Sequence, residues 1–334
     1  MTRDGRANPD TVQRILVIKL SALGDVFQAL GPVKAIRDHY PDAHLTVLTT
    51  APYNALITAT GYTDEVWLDS RPKWYQPLKL AQLRRLLRSG NFDMVFDLQT
   101  SDRSSTYFRM FSSDRRPLWS GIAPGCSHPH ANPDRNSMHT IERQSEQLTM
   151  AGIPDTPFPD TSWSDDLTCE GMPRQPYALL VPGGAPHRPD KRWPARHYAD
   201  LAIHLSEHSI LPVLLGTTSE SEALARISDL CPKTLNLCGK TSILDLVPLA
   251  KSAVVSIGND TGPMHVTAIA GCPSVVLYSH ASDPALCAQR GPNVEILRRP
   301  TLTGLPVSDV VAAIQRVTGR VPHEVGTEAV TPSA

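Results

Sequence analysis

Twice along its length the sequence repeats one pattern: a short apolar, β-rich run, a break of small and polar residues, then a stretch with helical spacing. Residues 14–20 (RILVIKL) are the first such run, Ser21-Ala22-Leu23-Gly24-Asp25 breaks it, and a helical pattern continues to about His39. Strands are predicted again at 44–50 (HLTVLTT), 65–69 (EVWLD) and 94–98 (MVFDL), with a helix over 77–88 before the last. From Tyr177 the alternation resumes, with strands at 177–181, 211–215, 234–237, 253–257 and 274–278 and helical patterns at 195–208, 220–230, 243–251 and 263–270. Parallel strands need crossover connections, and helices are the usual ones, so this alternation predicts an α/β chain with helix-covered parallel sheets.

At 334 residues the chain is long enough for two domains, each able to bury its own core. Residues 112–135 are rich in Pro, Gly, Ser, Asn and His and read as an irregular loop; 154–176 read as an interdomain linker. The predicted organisation is a first domain over 12–165, a second over 172–302, a closing amphipathic helix within 303–318 (PVSDVVAAIQRV at 306–317) and a frayed tail over 319–334. No short repeat marks a solenoid.

With 32 basic against 33 acidic side chains the formal charge is -1, so no global field draws the chain to nucleic acid or an anionic membrane, and anion binding must be local. The polar start lacks the apolar core of a secretory signal and no later stretch is apolar enough to span a bilayer, which predicts a cytoplasmic protein. Cys126, Cys169, Cys231, Cys238, Cys272 and Cys287 are scattered and form no C-x-x-C pair, against a disulfide framework or structural zinc.

Three loops stand where an α/β sheet binds ligands, between a strand end and a helix start. In Ser256-Ile257-Gly258-Asn259-Asp260-Thr261-Gly262-Pro263-Met264-His265, Asp260 or Thr261 can cap the helix, Gly262 lets a ligand approach the backbone, and Pro263 suits the first turn. A well-capped helix would look the same. Pro182-Gly183-Gly184-Ala185-Pro186 leads to Lys191-Arg192-Trp193-Pro194, where Lys191 or Arg192 could neutralise a diphosphate or simply be solvated. Asp25 is either a favourable acid in a first helical turn or a general base facing an interdomain cleft. Cys126, His128, His130 and His139 match no firm zinc spacing, and neither a D-x-D clamp nor a G-x-G-x-x-G or P-loop fingerprint occurs.

Three blocks in order, RILVIKLSALGDVFQALGPVKAIRDHYP, PGGAPHRPDKRWPARHYADLA and VVSIGNDTGPMHVTAIAGCPSVVLYS, resemble the lipopolysaccharide heptosyltransferase family, glycosyltransferase family 9, over about residues 14–300. The resemblance implies the GT-B fold: two facing Rossmann-like domains with parallel sheets and an interdomain cleft, the first domain receiving the acceptor and the second the nucleotide sugar. It makes Asp25 the catalytic base and Lys191 the partner of the leaving diphosphate. Asp260, Thr261, Gly262 and His265 become the donor pocket, joined by Glu220, with Glu222 close by, and by Thr241 along the nucleotide. Gly183 and Gly184 stand where some members carry hydroxyl side chains, so phosphate contacts there would come from backbone N–H groups. Ser21, Gly24, Gln99 and Arg103, with Ser104 nearby, fall on the acceptor side; Glu142 and Arg143 in HTIERQ also match, while residues 112–136 depart from the family.

The expected activity is an inverting, metal-independent transfer without a cofactor, of heptose from ADP-heptose to a lipopolysaccharide core acceptor. The enzyme would work in the cytoplasm, with peripheral contact at the inner membrane compatible with that acceptor. Competing readings are a family member using another nucleotide sugar or glycan, which donor profiling separates, and a nucleotide-sugar-binding protein without catalysis, against which Asp25 speaks.

Overall fold

Each apolar run of the first half becomes a strand, buried at Arg14–Ile18, His44–Thr49 and Met94–Asp97 and half-exposed at the edge strand Glu65–Leu68. In the computed structural model, which describes residues 11–184 and 188–319, the chain divides into two units between Asp166 and Leu167. The first contains β1 (Arg14–Ile18), α1 (Leu23–Gln28), α2 (Leu30–His39), β2 (His44–Thr49), α3 (Asn54–Ala59), β3 (Glu65–Leu68) and α4 (Pro77–Ser89). It continues with β4 (Met94–Asp97), α5 (Asp102–Tyr107), β5 (Leu118–Gly121), β6 (His128–Pro129) and α6 (Thr140–Met150). The sheet is parallel in the order β3-β2-β1-β4-β5-β6. Its central strands carry Ile15, Leu16, Val17, Ile18, Val95 and Phe96, all fully buried, because helices cover both faces.

The second unit contains β7 (Tyr177–Val181), α7 (Ala195–Glu207), β8 (Leu211–Leu214), α8 (Ser221–Leu230), β9 (Leu235–Asn236) and α9 (Leu246–Ser252). β10 (Val255–Asn259), α10 (Gly262–Ile269), β11 (Ser274–Tyr278), α11 (Pro284–Cys287), β12 (Val294–Arg298) and α12 (Val307–Thr318) complete it. Its parallel order, β12-β11-β10-β7-β8-β9, is the first sheet's order repeated, and both are the doubly wound arrangement of a dinucleotide-binding fold. α12, expected as a separate closing helix, buries Val310 and Ala313 in the core of this unit alongside Leu201, Leu205 and Leu297. The expected tail, beyond residue 319, and Ala185 and Pro186 of the glycine loop lie outside the described residues.

Three local expectations are corrected. The stretch 112–135 is no irregular loop: it supplies β5 and β6. Trp119 decides this, since its fully buried ring packs edge-on against Phe108 and Phe111 and holds β5 against β4 despite Pro and Gly flanks. The single helix expected up to His39 is interrupted at Ala29, which places Pro32 in the first turn of α2, where its missing N–H costs no helical bond. The strand read at 253–257 runs two residues later, so Asn259 closes β10 as a fully buried residue.

Candidate active site

In both sheets the order reverses direction between two neighbouring strands, β1 and β4 in one and β7 and β10 in the other. Loops leaving the carboxyl ends of such a pair diverge and open a crevice. The predicted loops leave those strands.

In the first unit, β1 leads through Lys19, Leu20 and Ser21 to α1. Gln99, just beyond β4, reaches across: its side-chain oxygen accepts from the backbone N–H of Leu20 at 2.8 Å and of Ser21 at 3.2 Å. Asp97 supports Gln99 in turn, its Oδ1 accepting from the N–H groups of Gln99 at 3.1 Å and Thr100 at 3.0 Å. The loop carrying Asp25 is thus pinned by two strand ends. Asp25 sits half-buried at the third position of α1. Although Ala22 at the N-cap has no side-chain acceptor to return the bond, Asp25 reaches back to accept its N–H at 3.0 Å. Its other oxygen makes no hydrogen bond to a described residue. Gly24 is buried and Ser21 half-buried beside it.

Gln99 was expected to meet a ligand, but its carbonyl is committed to the protein and only its amide nitrogen remains. Arg103 likewise gives an N–H to the Pro72 carbonyl at 3.1 Å, tying α5 to the loop after β3.

Of the charges beneath this loop, sequence reasoning passed over Lys19, while Asp97 and Arg143 fell in matching segments without an assigned role. Lys19 is buried with Nζ 3.3 Å from the Leu98 carbonyl; burial lowers its pKa, opposed by Asp25 and aided by the nearby Arg143. Asp97 is fully buried, and burial pushes its pKa up to about 6 against the pull of the Ser104 hydroxyl, the two N–H donors and Lys19. Arg143 of α6 is half-buried and its guanidinium makes no hydrogen bond or ion pair with a described residue. A charged residue at the end of an apolar run, Asp97 closing β4 and Lys19 just past β1, was the available signal.

The metal-like loop residues are otherwise engaged: His130 meets Glu146 at 2.7 Å, His128 meets the Ser127 hydroxyl at 2.9 Å, and His139 caps α6 through the Ile141 N–H. Among the described residues no three such side chains gather around a possible ion.

In the second unit, Lys191 lies in the turn before α7 and its Nζ is 2.6 Å from Asp260 Oδ2, just beyond β10. Asp260 also accepts from Ser282 at 2.7 Å, Tyr278 at 3.0 Å and Gln289 at 3.1 Å. Burial alone would raise its pKa, but these donors and the ammonium outweigh it and hold the carboxyl below its ordinary value. The carboxylate is therefore spent on protein donors, and it is Lys191 that it places. Thr261 stands at the N-cap of α10 without a capping bond from its side chain, Gly262 and Pro263 form the first turn, and His265 is buried one turn on.

Asn259 binds the pieces together. Its amide nitrogen donates to the carbonyls of Pro182 at 2.8 Å and Gly183 at 3.0 Å, while its oxygen accepts from the Trp193 N–H at 3.0 Å and the Tyr198 hydroxyl at 3.1 Å. One buried amide thus fixes both the glycine loop and the turn carrying Lys191. Space explains the glycines as well: a Cβ at Gly183 would lie 3.2 Å from Glu220 Cγ, and one at Gly184 3.3 Å from Arg192 Cγ. Glu220 accepts from Thr217 and Ser219 in a capping box beside Gly183, whereas Glu222 points out to solvent from α8. Thr241 follows Gly239, whose N–H bonds the Gly216 carbonyl at 2.9 Å, so its loop runs beside the one holding Glu220. Because the sheet is parallel, Gly183, Glu220, Thr241 and Asp260 all follow strand ends on one edge.

A doubly wound sheet repeated in two units, each with such loops at its switch point, is the GT-B architecture of a glycosyltransferase. Solved structures share it, among them two heptosyltransferases. Escherichia coli ADP-heptose lps heptosyltransferase II matches with a TM-score of 0.74 and 20% identity over 92% of this chain and 98% of that one. E. coli heptosyltransferase WaaC with ADP matches at 0.73 and 20% over 91% and 100%. The chain belongs to glycosyltransferase family 9 (heptosyltransferase), whose family model matches residues 80–306. Lipopolysaccharide heptosyltransferase 2 of Salmonella typhimurium is 27% identical over 294 residues, 80% of this chain and 83% of the relative. Lipopolysaccharide core heptosyltransferase OpsX of Haemophilus influenzae is 22% identical over 285 residues, 80% and 79%.

Proposed function

We propose that this glycosyltransferase moves heptose from ADP-heptose to a lipopolysaccharide core acceptor, with inversion at the anomeric carbon and without a metal. The names of the relatives suggest the heptose and the lipopolysaccharide core acceptor, and that of E. coli heptosyltransferase II suggests ADP-heptose as donor. The observation that carries the reading is the Lys191–Asp260 pair at 2.6 Å, which holds an ammonium beside the start of α10 and the Pro182–Gly184 turn.

The acceptor hydroxyl gives its proton to Asp25 as its oxygen bonds to the anomeric carbon, and the bond from that carbon to the diphosphate oxygen breaks. Charge then grows on the leaving nucleoside diphosphate. Lys191 and the Gly262 N–H at the start of α10 meet that charge, with Gly183 and Gly184 offering backbone rather than hydroxyl contacts. Glu220 and Thr241 line the nucleotide and His265 supports the pocket from within α10. On the acceptor side, Ser21, Gly24 and the Gln99 amide shape the wall, and Arg143, with Lys19 and Arg135 in electrostatic reach, provides positive charge for a carboxylate or phosphate on the saccharide. Lys191 does the work a divalent ion does elsewhere, so the scheme needs none. A cytoplasmic setting at the inner membrane follows from such an acceptor.

The test is a panel of nucleotide sugars with a defined core acceptor, after exhaustive chelation. Product from ADP-heptose with an inverted anomeric centre is expected. Turnover with a different nucleotide sugar only, or activity returning solely with an added divalent ion, would refute the corresponding part.

A further inference from the structure

Residues 70–90, the loop after β3 and all of α4, carry Arg71, Lys73, Lys79, Arg84, Arg85 and Arg88 and not one acidic residue, in a chain whose net charge is -1. None of the six forms an ion pair with a described residue. The same segment holds the two most exposed large apolar side chains of the described residues, Trp74 at 87% and Leu78 at 80%, with Tyr75 at 56% beside them. A tryptophan and a leucine left in water with a tyrosine between them are a loss to a soluble protein unless something covers them.

The helix shows which way the segment faces. Leu83 and Leu87 are buried in the core of the first unit, which turns Leu78 and Arg85 outward, while Lys79, one turn ahead of Leu83, is exposed at the start of the helix. Arg84 and Arg88 lie along the flank, each giving its Nε–H to the Met110 carbonyl, at 3.3 and 2.7 Å, and leaving the rest of the guanidinium exposed. At the tip, Lys73 stands 5.7 Å over the Tyr75 ring, and the Trp74 and Tyr75 rings meet edge to face at 5.6 Å.

We infer that this face is a docking surface for an anionic lipid bilayer, on which α4 lies with its cations over the headgroups while Trp74, Tyr75 and Leu78 enter the interface. Charge selects the occupant. An uninterrupted cationic strip about 20 Å long, the length of a 13-residue helix, fits a field of negative headgroups, and aromatic rings with a polar edge favour the boundary between headgroup and acyl chain. An acidic protein would meet the cations but offers Trp74 and Leu78 no matching apolar layer without a groove of its own. No helix among the described residues is long and apolar enough to cross a membrane, so the contact is one of lying on the surface. This goes beyond the transfer reaction and does not depend on its donor or acceptor.

The experiment is co-sedimentation of the full chain with sugar-free vesicles, either pure phosphatidylcholine or phosphatidylcholine with 30 mol% phosphatidylglycerol. Strong partition is expected on the anionic vesicles only, falling as NaCl rises from about 0.1 to 0.5 M. Lys79→Glu with Arg85→Glu should lower it by about 20-fold or more, since each cation near an anionic surface contributes roughly a fivefold factor. Trp74→Ser with Leu78→Ser should lower it at every salt concentration; all four positions are exposed, so folding is preserved, which circular dichroism verifies. Absence of partition, equal partition on both vesicles, or indifference to both double variants overturns the inference, and absence alone would redirect the patch to an acidic protein. Because no sugar is present, failure here leaves the transfer reading standing, and a failed transfer assay leaves this one standing.

Discussion

Lys191 and Asp260 form a nearly buried ion pair, 2.6 Å between Nζ and Oδ2, across 69 positions of sequence. Their side chains retain only 13% and 8% of their exposure, so the pair's attraction is little screened. Since Ser282, Tyr278 and Gln289 also donate to Asp260, the carboxylate is engaged by protein donors and fixes the position of Lys191.

Lys191→Ala is expected to lower kcat/KM for the donor by about 100- to 1000-fold, the loss typical of one charge-stabilising group. It also strands Asp260 and should destabilise the fold, by about 3 kcal/mol. Asp260→Asn keeps the shape and the hydrogen-bond acceptor but frees Lys191, so a raised donor KM with a smaller stability loss is expected. Steady-state kinetics alongside urea unfolding separate the two; an Asp260→Asn enzyme with wild-type donor KM would show that the pair does not place Lys191.

Asp25→Asn keeps an oxygen for the Ala22 N–H, so stability should change by less than about 1 kcal/mol. Turnover should drop by about 100- to 10,000-fold, the range for a lost general base, with donor affinity within a few-fold. Calorimetric titration of donor beside turnover checks this. Wild-type turnover would remove Asp25 as the base.

Gln99→Leu removes the acceptor shared by the Leu20 and Ser21 N–H groups and should cost about 1–3 kcal/mol of stability. Its sharper effect is on kcat, because the loop carrying Asp25 loses its anchor while the donor pocket in the other unit is untouched. Gln99→Glu, which still offers an oxygen to both N–H groups, should recover most of that kcat. If the glutamate variant is as impaired as the leucine one, the side chain matters for its amide nitrogen instead.

Asp97 gives a pH dependence with a definite sign. Its pKa rises from 3.8 to about 6 on folding, so between those values the folded chain holds a proton that the unfolded chain has lost. Stability from this group is complete below pH 4 and declines as pH rises through 6, by up to about 3 kcal/mol. Asp97→Asn cannot ionise. The difference in unfolding free energy between the two proteins, measured from pH 4 to 7, should grow in the variant's favour; a constant difference would mean that Asp97 stays ionised throughout.

Most of the strand ladder was readable from the chain, because a strand buried on both faces must be apolar along its whole length and few other elements look like that. The runs at 177–181 and 274–278 match β7 and β11 residue for residue. β5 was hidden because Pro117 and Gly121 bracket it, and local composition knows nothing of the ring contacts that hold Trp119. β12 went unread too, a five-residue edge strand whose side chains are mostly only half-buried.

The sequence by itself determined the class of fold, the loops between strand ends and helix starts and the residue types in them, since hydrophobic period and turn chemistry are local properties carried by neighbouring residues. Only tertiary structure decided what those side chains do with their hydrogen bonds. It spent the Asp260 carboxylate on Lys191, turned the Gln99 oxygen toward the backbone of Leu20 and Ser21, and made Asn259 the clasp of two loops. Each of these bonds joins residues about 65 to 80 positions apart, and a donor finds its acceptor at that distance only after the parallel sheet has brought their strand ends side by side.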